Sequence, residues 1–287
     1  MGFIKSAMED IRRALSLSPR LSPLGPILRT RGKRGGVLHF TCNICERLCR
    51  CRTADLGRET PTCPGCGSTV RMRAMVSTLS KELFGSSLTL ADFPSRPDLR
   101  GMGLSDWDRY AIPLAAKLGY INTFYHQEPR LDIDAIDPAL ESSLDFLIAS
   151  DVFEHVPPPI SIAFENARRL LRPGGVFVFS VPYSKEGETR EHFPELHRWE
   201  IVVRGGRKVL INITKDGSEQ IFSDLIFHGG DGSTLEMRVF SESSLLQDFE
   251  RAGFQDIRIW HEPEHRHGIC WQEDWSLPLS ARTPRDF

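Results

Sequence analysis

Six of the seven cysteines of this chain lie between positions 42 and 66, and four form two C-x-x-C pairs, Cys42-Asn-Ile-Cys45 and Cys63-Pro-Gly-Cys66. Clustering of this kind in a reducing compartment points to a metal rather than to disulfides. Each pair bends into a tight turn that aims two thiolates at one ion, and Pro64 and Gly65 supply the turn chemistry of the second. Residues 46–62 separate the pairs, a spacing that fits a zinc ribbon better than an iron–sulfur cluster. Cys42, Cys45, Cys63 and Cys66 are therefore the expected zinc ligands, while Cys49 or Cys51 could replace one of the first pair. Four thiolates close the coordination shell, so the zinc is read as structural. A module this small lacks an adequate core of its own and draws folding energy from the metal. Arg71 and Arg73, just after the second pair, could touch phosphate.

The other residues with chemical potential are carboxylates and histidines. His126 with Glu128, His155, and the pair His192 and His197 each lie near the end of an apolar run. His192 and His197 are five apart with Pro194 between them, which misses the helical spacing needed to share one metal. His261, His265 and His267 fall in a Glu-rich loop and read as surface residues.

Such side chains need a scaffold, and residues 87–181 alternate strand-like and helix-like segments, the pattern of an α/β domain with a parallel sheet. Strands are expected at Leu88–Phe93, Arg100–Ser105, Ile121–His126, Leu144–Ser150 and Val176–Val181. Helices are expected near Asp108–Leu118 and Ser161–Leu171, the second stopped by Arg172-Pro173-Gly174-Gly175. Between 182 and 240, runs at Trp199–Val203, Lys208–Ile213 and Gln220–Phe227 broken by Gly-Gly and Asp-Gly predict antiparallel hairpins. A helix at Glu242–Ala252 and strands near Gln255–Trp260 and Trp275–Ala281 then restore the α/β rhythm. Ahead of all this, Ile4, Met8, Ile11 and Leu15 suggest a short amphipathic helix, followed by a basic linker. The domains are thus 1–35, helix and linker; 36–75, zinc-ribbon-like module; and 76–287, the α/β domain with its β insert at 182–240.

The stretch Leu-Asp-Phe-Leu-Ile-Ala-Ser-Asp-Val-Phe-Glu-His-Val, a helix, then Leu-Leu-Arg-Pro-Gly-Gly-Val-Phe-Val-Phe-Ser-Val-Pro, from Leu144 to Pro182, resembles the class I S-adenosylmethionine-dependent methyltransferases, in particular those with a type-11 methyltransferase domain. The resemblance covers roughly residues 36–182 and 240–282. It implies a Rossmann-like, mostly parallel sheet of seven strands, with Leu144–Ser150 the fourth strand and Glu-His-Val opening the next helix. It also implies a methyl transfer from S-adenosylmethionine to a small-molecule or sugar-like acceptor. In open α/β sheets ligands bind beyond the carboxyl ends of the strands, so Asp92, Phe93 and Ser95, after the expected first strand, become cofactor-site candidates. By resemblance, Asp106 would take the ribose hydroxyls, Asp132 the adenine amino group and Asp151 the methionine amine. His155 would be the general base where the acceptor must lose a proton. The first loop, Ala-Asp-Phe-Pro-Ser-Arg-Pro, has no glycine. Gly101-Met-Gly103-Leu-Ser-Asp106 offers another alignment as that loop, but reading it as the second strand places an acidic residue at the strand's end. The insert, following the fifth strand, is expected to recognise the acceptor, with Phe193, Trp199 and Phe227 as an apolar wall.

Bulk properties narrow the field. Thirty-six basic against 38 acidic residues give a net charge of −2, which does not favour a nucleic-acid partner. No apolar run has the length of a membrane span, and no secretory signal is evident, so a cytoplasmic protein without a membrane partner is expected. Two rival readings remain: a nucleic-acid-binding zinc-ribbon protein, and a non-catalytic, partner-binding relative of the methyltransferases.

Overall fold

The computed structural model describes residues 36–228 and 234–285. The expected N-terminal helix and basic linker lie outside the described residues. The described chain forms two compact units, a larger one from residues 36–191 and 238–285 and a smaller one from residues 192–228 and 234–237.

The larger unit begins with a hairpin, β1 (Val37–Thr41) and β2 (Leu48–Arg52), then α1 (Val70–Phe84), β3 (Arg96–Leu104), α2 (Asp108–Ala115), β4 (Leu118–Thr123), β5 (Leu144–Ser150), α3 (Ser161–Leu170) and β6 (Leu171–Ser180). Two short strands, β7 (Tyr183–Ser184) and β8 (Arg190–Glu191), precede the smaller unit. That unit holds a meander of β9 (Arg198–Arg204), β10 (Arg207–Ile213) and β11 (Glu219–Phe222), and a pair, β12 (Phe227–His228) and β13 (Thr234–Leu235). Its core is Phe193, Leu210, Leu235 and Met237. The chain returns to the larger unit with β14 (Arg238–Ser241), α4 (Glu242–Arg251), β15 (Gln255–Ile259) and β16 (Leu279–Arg282). β14 pairs with both β7 and β8, so the two ends of the excursion are hydrogen-bonded into one small sheet.

The central sheet has the order β15-β16-β6-β5-β3-β4. β4, β3, β5 and β6 run parallel, and β16 runs antiparallel between β6 and β15. This is the expected mostly parallel, Rossmann-like sheet, with six strands rather than seven among the described residues. No strand pairs with the outer edge of β4 among the described residues. Residues 124–143 instead carry Pro129, Asp132, Asp134, Asp137 and Pro138, which deny a strand its run of β-formers.

Both faces of β5 and of the later part of β6 are buried, which is why these strands read as unbroken apolar runs. Side-chain alternation splits them: Leu147, Ala149, Phe177 and Phe179 join the core under α3 and α4, whereas Phe146, Ile148, Val176 and Val178 face the core of α1, α2 and the cysteine module. The module is thus part of the layer covering the sheet. The 15-residue α1 was not anticipated, although both of its ends are signalled. Thr69 accepts a hydrogen bond from the Met72 amide, and Gly85 closes the helix at φ 74°. Its buried face includes Arg73, Ser77, Thr78 and Ser80, and these polar residues hide the apolar period.

Strand pairing corrects one assignment. Leu88–Phe93 is not a strand; the Leu90 amide bonds the Asn43 carbonyl of the cysteine module. The segment holding Gly101 and Gly103 lies between β4 and β5, the place of the first strand rather than the second. Its glycines serve packing: a Cβ at Gly101 would overlap the Phe146 ring, and one at Gly103 would overlap the Tyr120 hydroxyl and the Asp106 carboxylate. Overpacking of this kind costs about 1–3 kcal/mol. Gly103→Ala is accordingly expected to lower the urea midpoint of unfolding without changing the slope, and a midpoint equal to wild type would refute the close approach.

Candidate functional site

Strand order reverses between β3 and β5: the chain leaves β3 for β4 on one side, then returns to place β5 and β6 on the other. The carboxyl edge at such a switch point is where open α/β sheets hold ligands. Both strands leave it through a non-glycine residue in the left-handed region, Ser105 at φ 57° and Asp151 at φ 55°. Each is pinned by its amide, Ser105 to the Thr123 carbonyl and Asp151 to the Ser180 carbonyl, both at 2.7 Å. Such backbone costs free energy and persists where surrounding bonds impose it.

Asp151 is the hub of the edge. Arg58 grips its two oxygens at 2.7 and 2.9 Å, Arg71 approaches at 3.1 Å, and the Ser180 hydroxyl donates at 3.1 Å. Burial works against its ionisation, yet the Arg58 and Arg71 guanidiniums hold the carboxyl well below the usual range. Arg71 also donates to the Ser150 hydroxyl at 2.6 Å, and Arg58 to the Ser276 carbonyl at 2.9 Å. Glu59 bridges the two arginines, accepting from Arg58 at 2.5 Å and from Arg71 at 2.7 and 2.8 Å. Arg58 and Glu59 come from the loop between the cysteine pairs and Arg71 from the first turn of α1. No periodicity marks such residues, and only Arg71 stood out in the sequence.

Asp106 follows β3 and is sealed. Tyr110 and Tyr120 each donate a hydroxyl to one of its oxygens at 2.6 Å, and the Asn122 side chain accepts from its amide. Both oxygens are thereby tied into the protein, which makes Asp106 an anchor of the loop after β3. Asp132 lies in the loop leaving β4, accepting from the Asp134 amide at 3.1 Å. His155 belongs to a 3-10 turn, Phe153–His155, separated from α3 by residues 156–160, so Glu-His-Val does not open that helix. Its Nε2 is 3.7 Å from the Glu154 carboxyl. Glu154 is buried, both its oxygens lack hydrogen-bond partners among the described residues, and burial followed by the nearby Asp151 charge pushes its pKa well up.

Asp92, Phe93 and Ser95 are corrected. They precede β3 and lie beside Lys117 at the amino end of β4, since Lys117 bonds both the Ala91 carbonyl and the Arg96 amide. The sheet therefore separates them from the carboxyl edge. Phe93 is buried against Phe84, ring centroids 5.0 Å apart. His267 is likewise buried rather than on the surface, its Nδ1 2.9 Å from the Thr41 carbonyl. In the smaller unit, His192 and His228 flank the Glu236 carboxylate at 2.8 and 3.0 Å; burial opposes its ionisation, but the two rings hold its pKa down at about 2.

The thiols of Cys42, Cys45, Cys63 and Cys66 converge within 4.8 Å, while Cys49 and Cys51 stay outside the group. Cys42 and Cys66 are 3.7 Å apart and Cys45 and Cys63 3.5 Å. A tetrahedron with zinc–sulfur bonds of about 2.3 Å has edges of about 3.8 Å, so the four thiols fit one zinc ion. The two turns have matching bonds, Glu46 amide to Cys42 carbonyl and Gly67 amide to Cys63 carbonyl. Arg73 is wholly buried beside them, donating to the Ser68 and Gly268 carbonyls and lying 4.8 Å over the Phe40 ring. It places a cation next to a thiolate cluster and leaves none of its charge for phosphate.

Burial pushes the Asp106 carboxyl up to about 7, outweighing the two tyrosine bonds that favour its ionised form. Its unfolded value is about 3.9. The unfolded chain therefore releases this proton first, and stability that is complete below pH ~4 is lost as pH rises through about 7. Between those limits Asp106→Asn is expected to gain on wild type by on the order of a few kcal/mol. Urea unfolding of both proteins across the range checks this, and a constant gap would show that Asp106 titrates normally.

A family model described as a methyltransferase domain matches residues 93–259, more than half of the chain. No curated protein matches the chain in sequence. Solved structures resemble it at low identity. A 1,6-didemethyltoxoflavin-N1-methyltransferase from Burkholderia thailandensis is 15% identical with a TM-score of 0.42, over 74% of this chain and 78% of that one. An S-adenosylmethionine-dependent methyltransferase from Mesorhizobium loti is 17% identical with a TM-score of 0.38, over 67% of this chain and 94% of that one. A possible histamine N-methyltransferase from Thermotoga maritima is 13% identical with a TM-score of 0.39, over 75% and 90%. With most of its central sheet and the carboxyl edge of β3 and β5 inside the matched residues, the chain belongs to the methyltransferase-domain family.

Proposed function

We propose that this protein transfers a methyl group from S-adenosylmethionine to a small-molecule or sugar-like acceptor, at the carboxyl edge of β3, β4 and β5. The observation that carries this reading is the switch point itself, where two strained residues, Ser105 and Asp151, flank a buried, charged cluster. The cofactor supplies an electrophilic methyl group on a sulfonium. The protein's part is to orient the acceptor in line with it and exclude water, effects worth on the order of 7–11 kcal/mol in well-oriented systems. Asp151 faces the amino-acid end of the cofactor, and Asp132 lies on the adenine side. Asp106 holds the loop between them through Tyr110 and Tyr120. His155, on the turn after β5, receives the proton of an acceptor hydroxyl or amine.

Zinc on Cys42, Cys45, Cys63 and Cys66 has a structural role in this reading. With all four positions closed it holds the loop that carries Arg58 and Glu59 and takes no part in methyl transfer.

Calorimetric titration of the zinc-loaded chain with S-adenosylmethionine and S-adenosylhomocysteine is the direct test. Micromolar binding is expected, and the absence of binding to either would overturn the methyltransferase reading. Elemental analysis is expected to find about one zinc per chain, lost in a Cys42→Ser, Cys63→Ser double variant. Full zinc retention by that variant would place the metal elsewhere.

A further inference from the structure

The geometry points to a receptor for a ligand carboxylate formed by Arg58 and Arg71, with the Glu59 carboxylate as its built-in, displaceable occupant. The inference rests on the proposed cofactor edge and goes beyond it by assigning recognition to residues contributed by the cysteine module and α1.

Two guanidiniums converge here, with side chains only 17% and 16% exposed. Asp151, 20% exposed, is gripped by Arg58, also approached by Arg71, and fixed from behind by Ser180. The second carboxylate is different. Glu59 is 41% exposed, sits on a loop and among the described residues bonds only these two arginines. One of its oxygens accepts from both guanidiniums and the other from Arg71 alone. This is the bidentate arrangement with which arginine recognises carboxylates in general. Charge explains why the position should not stand empty: two buried guanidiniums facing one Asp151 carboxylate would leave an uncompensated cation. An incoming carboxylate that takes the place of Glu59 keeps the cluster neutral, and Glu59 can turn outward into water. Arg58 also lines a small cavity with Trp271, Gln272, Glu273 and Trp275, whose tryptophans provide an optical reporter near the cluster.

A carboxylate could reach this receptor from the amino-acid end of the cofactor or from the acceptor. The two sources separate experimentally. Wild type, Glu59→Ala and Arg71→Gln, all zinc-loaded, are titrated calorimetrically with S-adenosylhomocysteine and with methylthioadenosine, which lacks the amino-acid end. If the cofactor supplies the carboxylate, Glu59→Ala binds S-adenosylhomocysteine about tenfold more tightly, Arg71→Gln binds it about tenfold more weakly, and methylthioadenosine distinguishes none of them. If the acceptor supplies it, S-adenosylhomocysteine affinity is unchanged in Glu59→Ala. Acetate then perturbs tryptophan fluorescence of that variant, and not of wild type, with S-adenosylhomocysteine already bound. Equal shifts for both nucleosides in Glu59→Ala, or no response to either nucleoside or to acetate, overturn the receptor. If wild type binds neither nucleoside the cofactor reading fails, and the acetate comparison on unloaded Glu59→Ala and wild type decides the receptor alone.

Discussion

A carboxylate buried at the end of a parallel strand must be matched by a cation, because the interior does not screen it. In this chain the carboxylate is Asp151, at the switch point of the sheet, and its cations do not come from the sheet or from the helices that follow its strands. Arg58 comes from the loop between the cysteine pairs and Arg71 from the helix that starts just after the second pair. Everything upstream can be understood from this requirement. The loop must be stiff enough to hold two guanidiniums in register, and its two ends are the two cysteine turns. Those turns share a neighbourhood with Arg73, whose buried charge suits a cluster of thiolates. The module therefore joins the covering layer of the sheet, its Phe40, Ile44 and Leu56 packed into the same core as Phe146 and Ile148.

The parts that could be read from the sequence are those set by local chemistry. β5 and β6 announce themselves as apolar runs because both their faces are covered, while α3 ends at Leu170, ahead of Pro173-Gly174-Gly175, which falls within β6. The meander of β9–β11 follows from alternation and from glycine at its turns. The four convergent thiols could be read from spacing alone. What could not be read is pairing. Leu88–Phe93 has a strand's composition, yet its Leu90 amide bonds the cysteine module, so the next segment took the first-strand position, while Leu144–Ser150 and Val176–Val181 kept theirs. Asp92, Phe93 and Ser95 were displaced to the amino end of the sheet for that reason. His267 shows the same limit, since its partner is a carbonyl 226 residues away in sequence.

The glycines of β3 show how one residue type can serve two ends. Gly101 and Gly103 stand where a glycine-rich loop would begin in the resemblance drawn from sequence. In the fold they make room for large neighbours, Phe146 against Gly101 and the Tyr120–Asp106 pair against Gly103. Flexibility of the loop is then replaced by a hydrogen-bonded lock: Asp106 draws Tyr110 of α2 and Tyr120 of β4 toward the end of β3. The strained Ser105 is held between that lock and the Thr123 carbonyl. Rigid placement of the loop is thereby obtained from side chains, where backbone freedom alone would leave it to the ligand.

Charge balance sets the remaining constraint at this edge. Arg58 and Arg71 against Asp151 and Glu59 sum to zero. Exchange of Glu59 for an incoming carboxylate, as inferred above, would preserve that balance. The balance itself depends on arginines which the cysteine module and α1 hold in place.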